Sequence, residues 1–318
     1  MHEHRGDFPP VDRALLDLAQ AVRDTGYYFV TPTPLTIARN NARPGNAKAR
    51  TLTDVFGWSR PFDEAVLPAP LLDLVMAAGV VFRENGRLRS TIRLSTLGAN
   101  LFIHSAYPTT AADSVFFGPD TYRFANAIAA HLAVSNAPMR RAVDIGCGAG
   151  IGGIVVAESR PDADVLMVDI NDVALRYARL NAALAGAVRA SAHSSNLLTE
   201  TEGSFDLVVA NSPYMIDPAE RAYRHGGGTL GEGLSLAILE TALDRLSPNG
   251  TLLLYTGSAI VNGIDGFRHA AMDRLASFRH RWSYVETDPD VFGEELDGGA
   301  YADADRIAAV VLAVTKES

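Results

Sequence analysis

The chain has 318 residues, 47% of them hydrophobic and 20% charged, with a formal net charge of −9. That length points to two domains, and that composition supplies ample apolar material for packed cores, which excludes disorder as the main theme. The acidic balance argues against an extended phosphate-binding face, because nucleic-acid affinity rests on clustered Lys and Arg.

Local exceptions and absences sharpen this. Residues 39–50 carry Arg39, Arg43, Lys48 and Arg50, a basic run within the acidic whole. A single cysteine, Cys147, excludes an intrachain disulfide. Residues 1–7 are polar and lack the apolar core of a signal peptide, and no apolar run of about 18 residues occurs, so a soluble cytoplasmic protein with no membrane partner is expected.

The first predicted element is a helix over 9–24. Pro9 and Pro10 open it, Leu15, Leu16, Leu18, Ala19 and Val22 form a helical stripe, and Gly26 closes it. Thr31-Pro32-Thr33-Pro34 reads as a break. A second helix over 69–78 stops at Gly79. Strand-like runs at 80–83 and 87–94 then flank Glu84-Asn85-Gly86, a good hairpin signal. A helix followed by a hairpin is similar to the wing of a winged-helix module, which either contacts nucleic acid or packs on a neighbouring domain.

From residue 108 the pattern changes. A helix over 121–133 leads into strands at 142–145, 165–169, 188–192, 205–210 and 251–255, with helices at 150–158, 172–184, 232–246 and 267–279 between or after them. Two closing strands are expected at 283–286 and 307–314. Such alternation predicts an α/β fold with a mostly parallel sheet covered on both faces. The expected division is an N-terminal α+β accessory domain over 1–107 and an α/β domain over 108–318.

Two motifs carry the chemistry. In Val143-Asp144-Ile145-Gly146-Cys147-Gly148-Ala149-Gly150 a strand runs into a glycine turn, where Gly146, Gly148 and Gly150 let the backbone approach a ligand closely. Cys147 reads as a small filler of that turn. Asp169 ends the next strand, placed to accept two ribose hydroxyls, and Asn196 in Ser194-Ser195-Asn196-Leu197 could read an adenine amino group. Gly148, Gly150 and Gly153 also satisfy a literal G-x-G-x-x-G, so a nicotinamide or flavin enzyme is the competing reading. Asp144 weighs against it. A carboxylate there suits a cationic cofactor, a sulfonium or its amino group as in S-adenosylmethionine (AdoMet), and faces a pyrophosphate badly. Asp144 can equally brace the turn through backbone N–H groups.

The second motif is Asn211-Ser212-Pro213-Tyr214, beginning 65 residues after Gly146. Amide and aryl-amine nitrogens are poor nucleophiles because their lone pair is delocalised. A site that accepts both N–H protons can orient that lone pair. The Asn211 side-chain oxygen and the Ser212 carbonyl provide two such acceptors, Pro213 stiffens the backbone, and Tyr214 offers a face for a flat group. Alone, these four residues would be an ordinary turn at a strand end.

Together the motifs resemble those of the class I AdoMet-dependent methyltransferases, which have a Rossmann-like fold. Within that class the chain is similar to the amino-methyltransferases with an Asn/Asp-Pro-Pro-Tyr motif after the fourth strand, notably the release-factor glutamine N5-methyltransferases and their "small-domain" relatives, including ribosomal RNA guanine N2-methyltransferases. Gly118-Pro119-Asp120-Thr121 is similar to the family's Pro-Asp/Glu-Thr segment near the cofactor, and Gly227-Gly228-Thr229-Leu230-Gly231 to its Gly-Gly-x-x-Gly. The resemblance covers about residues 115–255. It implies seven strands, the last antiparallel, and cofactor contacts from Thr121, Asp144, Gly146, Cys147, Gly148, Gly150, Asp169, Ile170, Asn196, Leu197 and Asn211. It implies Asn211, Ser212, Pro213 and Tyr214 as the catalytic loop, with S-adenosylhomocysteine as product and no metal. Ser212 departs from the family's first proline, so a looser loop is expected.

The same resemblance places the connection 286–306 on the site's edge. That connection is acidic, with Glu286, Asp288, Asp290, Glu294, Glu295, Asp297, Asp303 and Asp305, and reads either as a solvated loop or as a lid that favours a cationic partner. His225, after Arg221 and Arg224, reads as part of a polar turn, and His104 and Tyr107 as packing at the domain junction. His2 and His4 have no further metal ligand near them in sequence. The expected function is N-methylation of a planar nitrogen, foremost a glutamine-type side chain of a protein, with a ribosomal or transfer RNA base as the alternative acceptor and a small molecule as a third. An AdoMet-binding or RNA-binding regulator is the non-enzymatic alternative. Nothing in the sequence sets an oligomeric state.

Overall fold

The structure, a computed structural model, describes residues 8–135, 137–276 and 279–317. Residues 1–7, with His2 and His4, lie outside the described residues, as do 277 and 278 near the end of the helix expected over 267–279.

The N-terminal part contains α1 (Pro10–Asp24), α2 (Pro34–Asn41), α3 (Leu52–Phe56) and α4 (Ala69–Ala77), then β1 (Val81–Glu84), β2 (Arg87–Ser90), β3 (Ile92–Leu97) and β4 (Asn100–Ser105). The buried face of α1 is the Leu15, Leu16, Leu18, Ala19, Val22 stripe. Sequence reading missed α2 and α3. Pro34, in the segment expected to break the chain, occupies the first turn of α2, where its missing N–H costs nothing. Thr33 and Thr51 cap the two helices, their hydroxyls accepting from Thr36 N and Asp54 N at 3.2 Å each. The β1–β2 hairpin forms at the expected turn, with Asn85 and Gly86 both at positive φ. The run expected as one strand over 87–94 divides at Thr91. There the Ser90 hydroxyl accepts from Ile92 N at 3.1 Å and donates to Ile92 O at 2.7 Å, a local alternative to the strand ladder. β3 then pairs with β4.

The second part holds α5 (Pro119–Val134), β5 (Arg141–Ile145), α6 (Ile151–Ser159), β6 (Asp164–Asp169), α7 (Asp172–Ala185), β7 (Ala190–Ser194), β8 (Phe205–Asn211), α8 (Gly233–Arg245), β9 (Leu246–Val261), β10 (Ile264–Asp265), α9 (Gly266–Leu275), β11 (His280–Asp288) and β12 (Arg306–Lys316). The main sheet runs β11-β12-β9-β8-β5-β6-β7, and the short β10 folds back on β9 as an eighth strand. β12 is antiparallel to both neighbours; β9, β8, β5, β6 and β7 pair in parallel.

Alternate strand residues face opposite layers. Val143, Ile145, Val208, Ala210, Leu252 and Leu254 pack toward α8 and α9. Ala142, Leu207, Val209, Leu253 and Tyr255 pack toward α5, α6 and α7. That second apolar layer is continuous with the core beneath α1 and α4, so the two parts of the chain share buried surface.

Strand order reverses between β5 and β8. Ligands in open α/β sheets lie beyond the carboxyl ends of the strands at such a switch point. Ile145 is directly opposite Ala210 in the parallel ladder. The next residue on each strand, Gly146 and Asn211, is therefore brought to the same level at the same sheet edge.

Candidate active site

One cleft opens at that edge. It is lined by Thr121, Asp144, Gly146, Cys147, Gly148, Asp169, Ile170, Asn196, Leu197, Asn211, Ser212, Pro213 and Tyr214, so it gathers the expected site residues with the exception of Gly150. Gly150 instead starts α6 in a left-handed conformation, φ +83°, and a Cβ there would press on Ala178 and the Met167 sulfur at 3.1 Å. Its demand is packing of the turn against α7 and β6.

Of the three acidic residues lining the cleft, Asp120, Asp144 and Asp169, the last two flank the glycine turn and have different surroundings. Asp144 is 1% exposed and its Oδ2 accepts from Gly153 N at 2.8 Å, so it does brace the start of α6. Burial pushes its carboxyl up to about 7, with nearby Asp169 adding to the rise and the Gly153 N–H opposing it. Asp169 Oδ2 accepts from Gly148 N and Oδ1 from Asn171 N, both at 2.9 Å. Burial raises its carboxyl too. Each carboxylate oxygen still has acceptor capacity for a ribose hydroxyl. Asn196 is exposed at the cleft and Ile170 is 65% exposed, an apolar face open toward a ligand. Thr121 Oγ1 accepts from Gly118 N at 3.2 Å, closing the first turn of α5. Cys147 is buried and its thiol is pushed well up by burial and by Asp169 and Asp144, which suits a filler and not a nucleophile.

These residues fit AdoMet. A buried carboxylate with a raised protonation point gains from a cation beside it, and Gly146 and Gly148, at φ +66° and +53°, hold a turn that side chains rarely adopt.

The second motif lies across the cleft. Asn211 ends β8, and its side chain has no hydrogen-bond partner among the described residues, which leaves its oxygen available. Ser212, for which a looser loop is expected, has partners of its own. Its hydroxyl is buried in a chain, 2.7 Å from Ser235 Oγ, which is 2.6 Å from Thr256 Oγ1. Its N–H donates to Tyr255 O at 3.3 Å. Ser212 is thus hydrogen-bonded to α8 and β9. The Tyr214 ring is 6% exposed and meets Phe292 edge-on, with centroids 5.8 Å apart. A Cβ at Gly257 would fall on that ring, and one at Gly231 would strike the Tyr214 carbonyl. The glycines flanking the loop are therefore steric requirements.

Several lining residues had no sequence signal. Phe116 and Tyr223 stack across the mouth at 5.7 Å and 15°, and Tyr223 OH donates to Thr109 O at 2.8 Å. Pro34 brings the start of α2 to the same mouth. Phe292 comes from the acidic connection, in which the buried Tyr301, outside the cleft lining, accepts from Ile216 N through its hydroxyl at 2.8 Å. Glu295 in that connection pairs with Arg224, which lines the cleft, so its charge is already neutralised within the site. His225 Nδ1 accepts from Asp217 N at 3.2 Å, in a polar turn where Arg221 hydrogen bonds hold the Asp217 carboxyl well below the usual range. His104 stacks on Phe117 across the junction of the two parts, with centroids 4.9 Å apart, whereas Tyr107 N donates to Ser59 Oγ at 3.1 Å within the N-terminal part. Among the described residues no group of three or more His, Cys, Asp or Glu is placed to hold a metal ion, and no helix is long and apolar enough to cross a membrane.

Residues 123–260 match the family model described as the methyltransferase small domain. The chain is 32% identical over 188 residues to the release factor glutamine methyltransferase of Neisseria gonorrhoeae, covering 55% of this chain and 64% of that protein. It is 31% identical over 157 residues to the 4-amino-L-phenylalanine/4-methylamino-L-phenylalanine methyltransferase of Streptomyces pristinaespiralis, covering 46% and 51%. It is 35% identical over 140 residues to the tRNA1(Val) (adenine(37)-N6)-methyltransferase of Aeromonas hydrophila, covering 41% and 56%. The chain thus spans less than two thirds of the length of these curated relatives. Among solved structures, wild-type Trm5b from Pyrococcus abyssi is similar in fold alone, with a TM-score of 0.50 at 13% identity over 74% of this chain and 62% of that one. Sequence and strand order agree: residues 123–260 match the methyltransferase small domain, and the chain has the class I AdoMet-dependent methyltransferase fold.

Proposed function

We propose that this chain transfers a methyl group from AdoMet to a planar nitrogen, foremost a glutamine-type side-chain amide of a protein. One observation carries the reading: the Asn211-Ser212-Pro213-Tyr214 loop and the glycine turn line the same cleft at the sheet's switch point. Bound there, AdoMet supplies a methyl carbon whose bond to sulfur breaks, with its electron pair, as the acceptor nitrogen bonds to it. The chain's own residues bind and orient. Asp144 would hold the cofactor's cationic part, Asp169 its ribose and Asn196 its base, with Thr121, Ile170 and Leu197 around them. Asn211 Oδ1 and the Ser212 carbonyl accept the two N–H protons of the acceptor and aim its lone pair. No strong base is needed before attack, because the leaving group is a neutral sulfide, S-adenosylhomocysteine; the methylated nitrogen then loses one N–H proton to solvent.

The names of the relatives support the acceptor class. A glutamine side chain, an aryl amine and the N6 of adenine all present an sp² or ring-conjugated nitrogen. The alternative acceptor, a nucleobase of ribosomal or transfer RNA, is favoured by one feature, the basic run after Pro34 at the mouth. The division into an accessory part, 1–107, that selects substrate and a catalytic part, 108–318, belongs to the same proposal.

The test is transfer of labelled methyl from AdoMet into the protein and RNA fractions of a cell extract. Label in protein is expected, and label confined to RNA would reverse the choice of acceptor. Asn211→Ala should lower transfer by about 100-fold or more while AdoMet affinity by calorimetry stays within about threefold. Retained turnover would remove Asn211 from its assigned role.

A further inference from the structure

We infer that Asp120 is a positioning residue that holds the reaction loop through the Tyr214 phenol; its effect on turnover rests on the planar-nitrogen reading above. Asp120 lies in the first turn of α5. Its Oδ2 accepts from Tyr214 OH at 2.7 Å. Its Oδ1 accepts from Tyr255 OH at 2.8 Å and from Arg123 Nη1 at 2.9 Å. Arg123 Nη2 in turn donates to Asp288 Oδ2 at 2.6 Å, at the start of the acidic connection.

The two phenols differ in what else holds them. Tyr255 sits within β9, which pairs with β8 on one side and β12 on the other. Tyr214 sits on a loop. The carboxylate therefore ties a loop residue to one fixed by the sheet. Burial and the neighbouring carboxylate raise both phenols, so both remain protonated donors. The Tyr214 ring is confined by Gly257 and Phe292, and its hydroxyl fixes how it turns within that seat. Ser212, whose carbonyl is an assigned acceptor, lies two residues earlier in the chain. A loop released at Tyr214 frees that carbonyl to drift, and a misplacement of about 1 Å costs up to about 100-fold in rate. Asp120 lines the cleft, and three donors from the protein converge on its two oxygens.

The experiment compares Asp120→Asn, Tyr214→Phe, the double variant and Tyr255→Phe in three measurements. These are hydrogen exchange of segment 211–216, AdoMet affinity by calorimetry, and labelled methyl transfer into a desalted protein fraction of a cell extract. Asp120→Asn should speed exchange in 211–216, leave exchange in 143–153 unchanged, keep AdoMet affinity within about threefold and lower transfer by about 10- to 100-fold. Tyr214→Phe should do the same, and the double variant should be no worse than either single one, because both break one hydrogen bond. Tyr255→Phe should leave transfer within about threefold, since the sheet still holds that residue. Additive losses, unchanged loop exchange, or an AdoMet affinity that weakens as much as the rate would each overturn the inference. If the unsubstituted protein labels no protein at all, the acceptor reading fails by itself, and exchange and calorimetry still decide the role of Asp120.

Discussion

Asp144 holds a carboxylate in a place where its charge is unfavourable until a cation arrives. Burial pushes its carboxyl up to about 7 in the free protein. Below that point it is protonated, and above it is ionised. A cationic cofactor favours the ionised form, so AdoMet binding should release a proton near neutrality, and its affinity should rise with pH through about 7 and then level off. The sign for folding is opposite. The folded carboxyl holds its proton between its ordinary unfolded value near 4 and about 7, so the ligand-free protein should lose stability as pH rises through that window. Calorimetry across pH checks the first effect. Asp144→Asn should weaken binding and flatten the profile, and a profile that stays steep in that variant would assign the titration to another group. This residue was legible in sequence because its meaning is local, two positions before a glycine turn. Asp120 was only half legible. Its partners Tyr214 and Tyr255 lie 94 and 135 positions away, and only the fold brings the three together.

At the scale of elements, the reaction loop shows how a departure from a motif can be absorbed. Pro213 remains, while Ser212 bonds to Ser235 on α8 and through it to Thr256 on β9. A hydrogen bond of this kind contributes about 1 kcal/mol net, and a buried partner left unsatisfied costs somewhat more. Ser235 keeps Thr256 when Ser212 is shortened. Ser212→Ala should therefore lower stability by about 1 kcal/mol in urea melts and slow transfer several-fold, with AdoMet affinity unchanged. Equal melts and equal rates would mean the hydroxyl chain does not stiffen the loop. The sheet strands and their helices were legible because apolar alternation and glycine or proline punctuation are local signals. The errors have physical causes of the same scale. Pro34 starts a helix that Thr33 caps, and Ser90 interrupts a run that otherwise alternates correctly. β9 extends well beyond its expected 251–255 because β12 pairs along it from Thr251 to Ile260, a tertiary effect invisible to windowed reading.

Across the whole molecule, charge is divided unevenly. Residues 1–107 carry 12 Lys and Arg against 10 Asp and Glu, and residues 108–318 carry 16 against 27. The cations of the β1–β2 hairpin are largely paired internally: Arg83 with Glu64, Arg87 with Asp63 and Arg89 with Glu84. A hairpin neutralised in this way offers little to phosphates. Arg39, Arg43, Lys48 and Arg50 are exposed, follow Pro34 at the cleft mouth, and share the segment 31–50 with no acidic residue. These four set the most an RNA acceptor could gain from that surface. Releasing counterions from four phosphates would make affinity fall about 50- to 150-fold between about 50 and 200 mM salt. A protein amide acceptor, recognised by the cleft and by backbone contacts, needs no such release. Methyl transfer at low acceptor concentration should therefore change by less than about tenfold over that range. A fall near the upper figure, abolished by Arg39→Glu with Arg43→Glu, would instead place a nucleic-acid backbone on the surface beside α2.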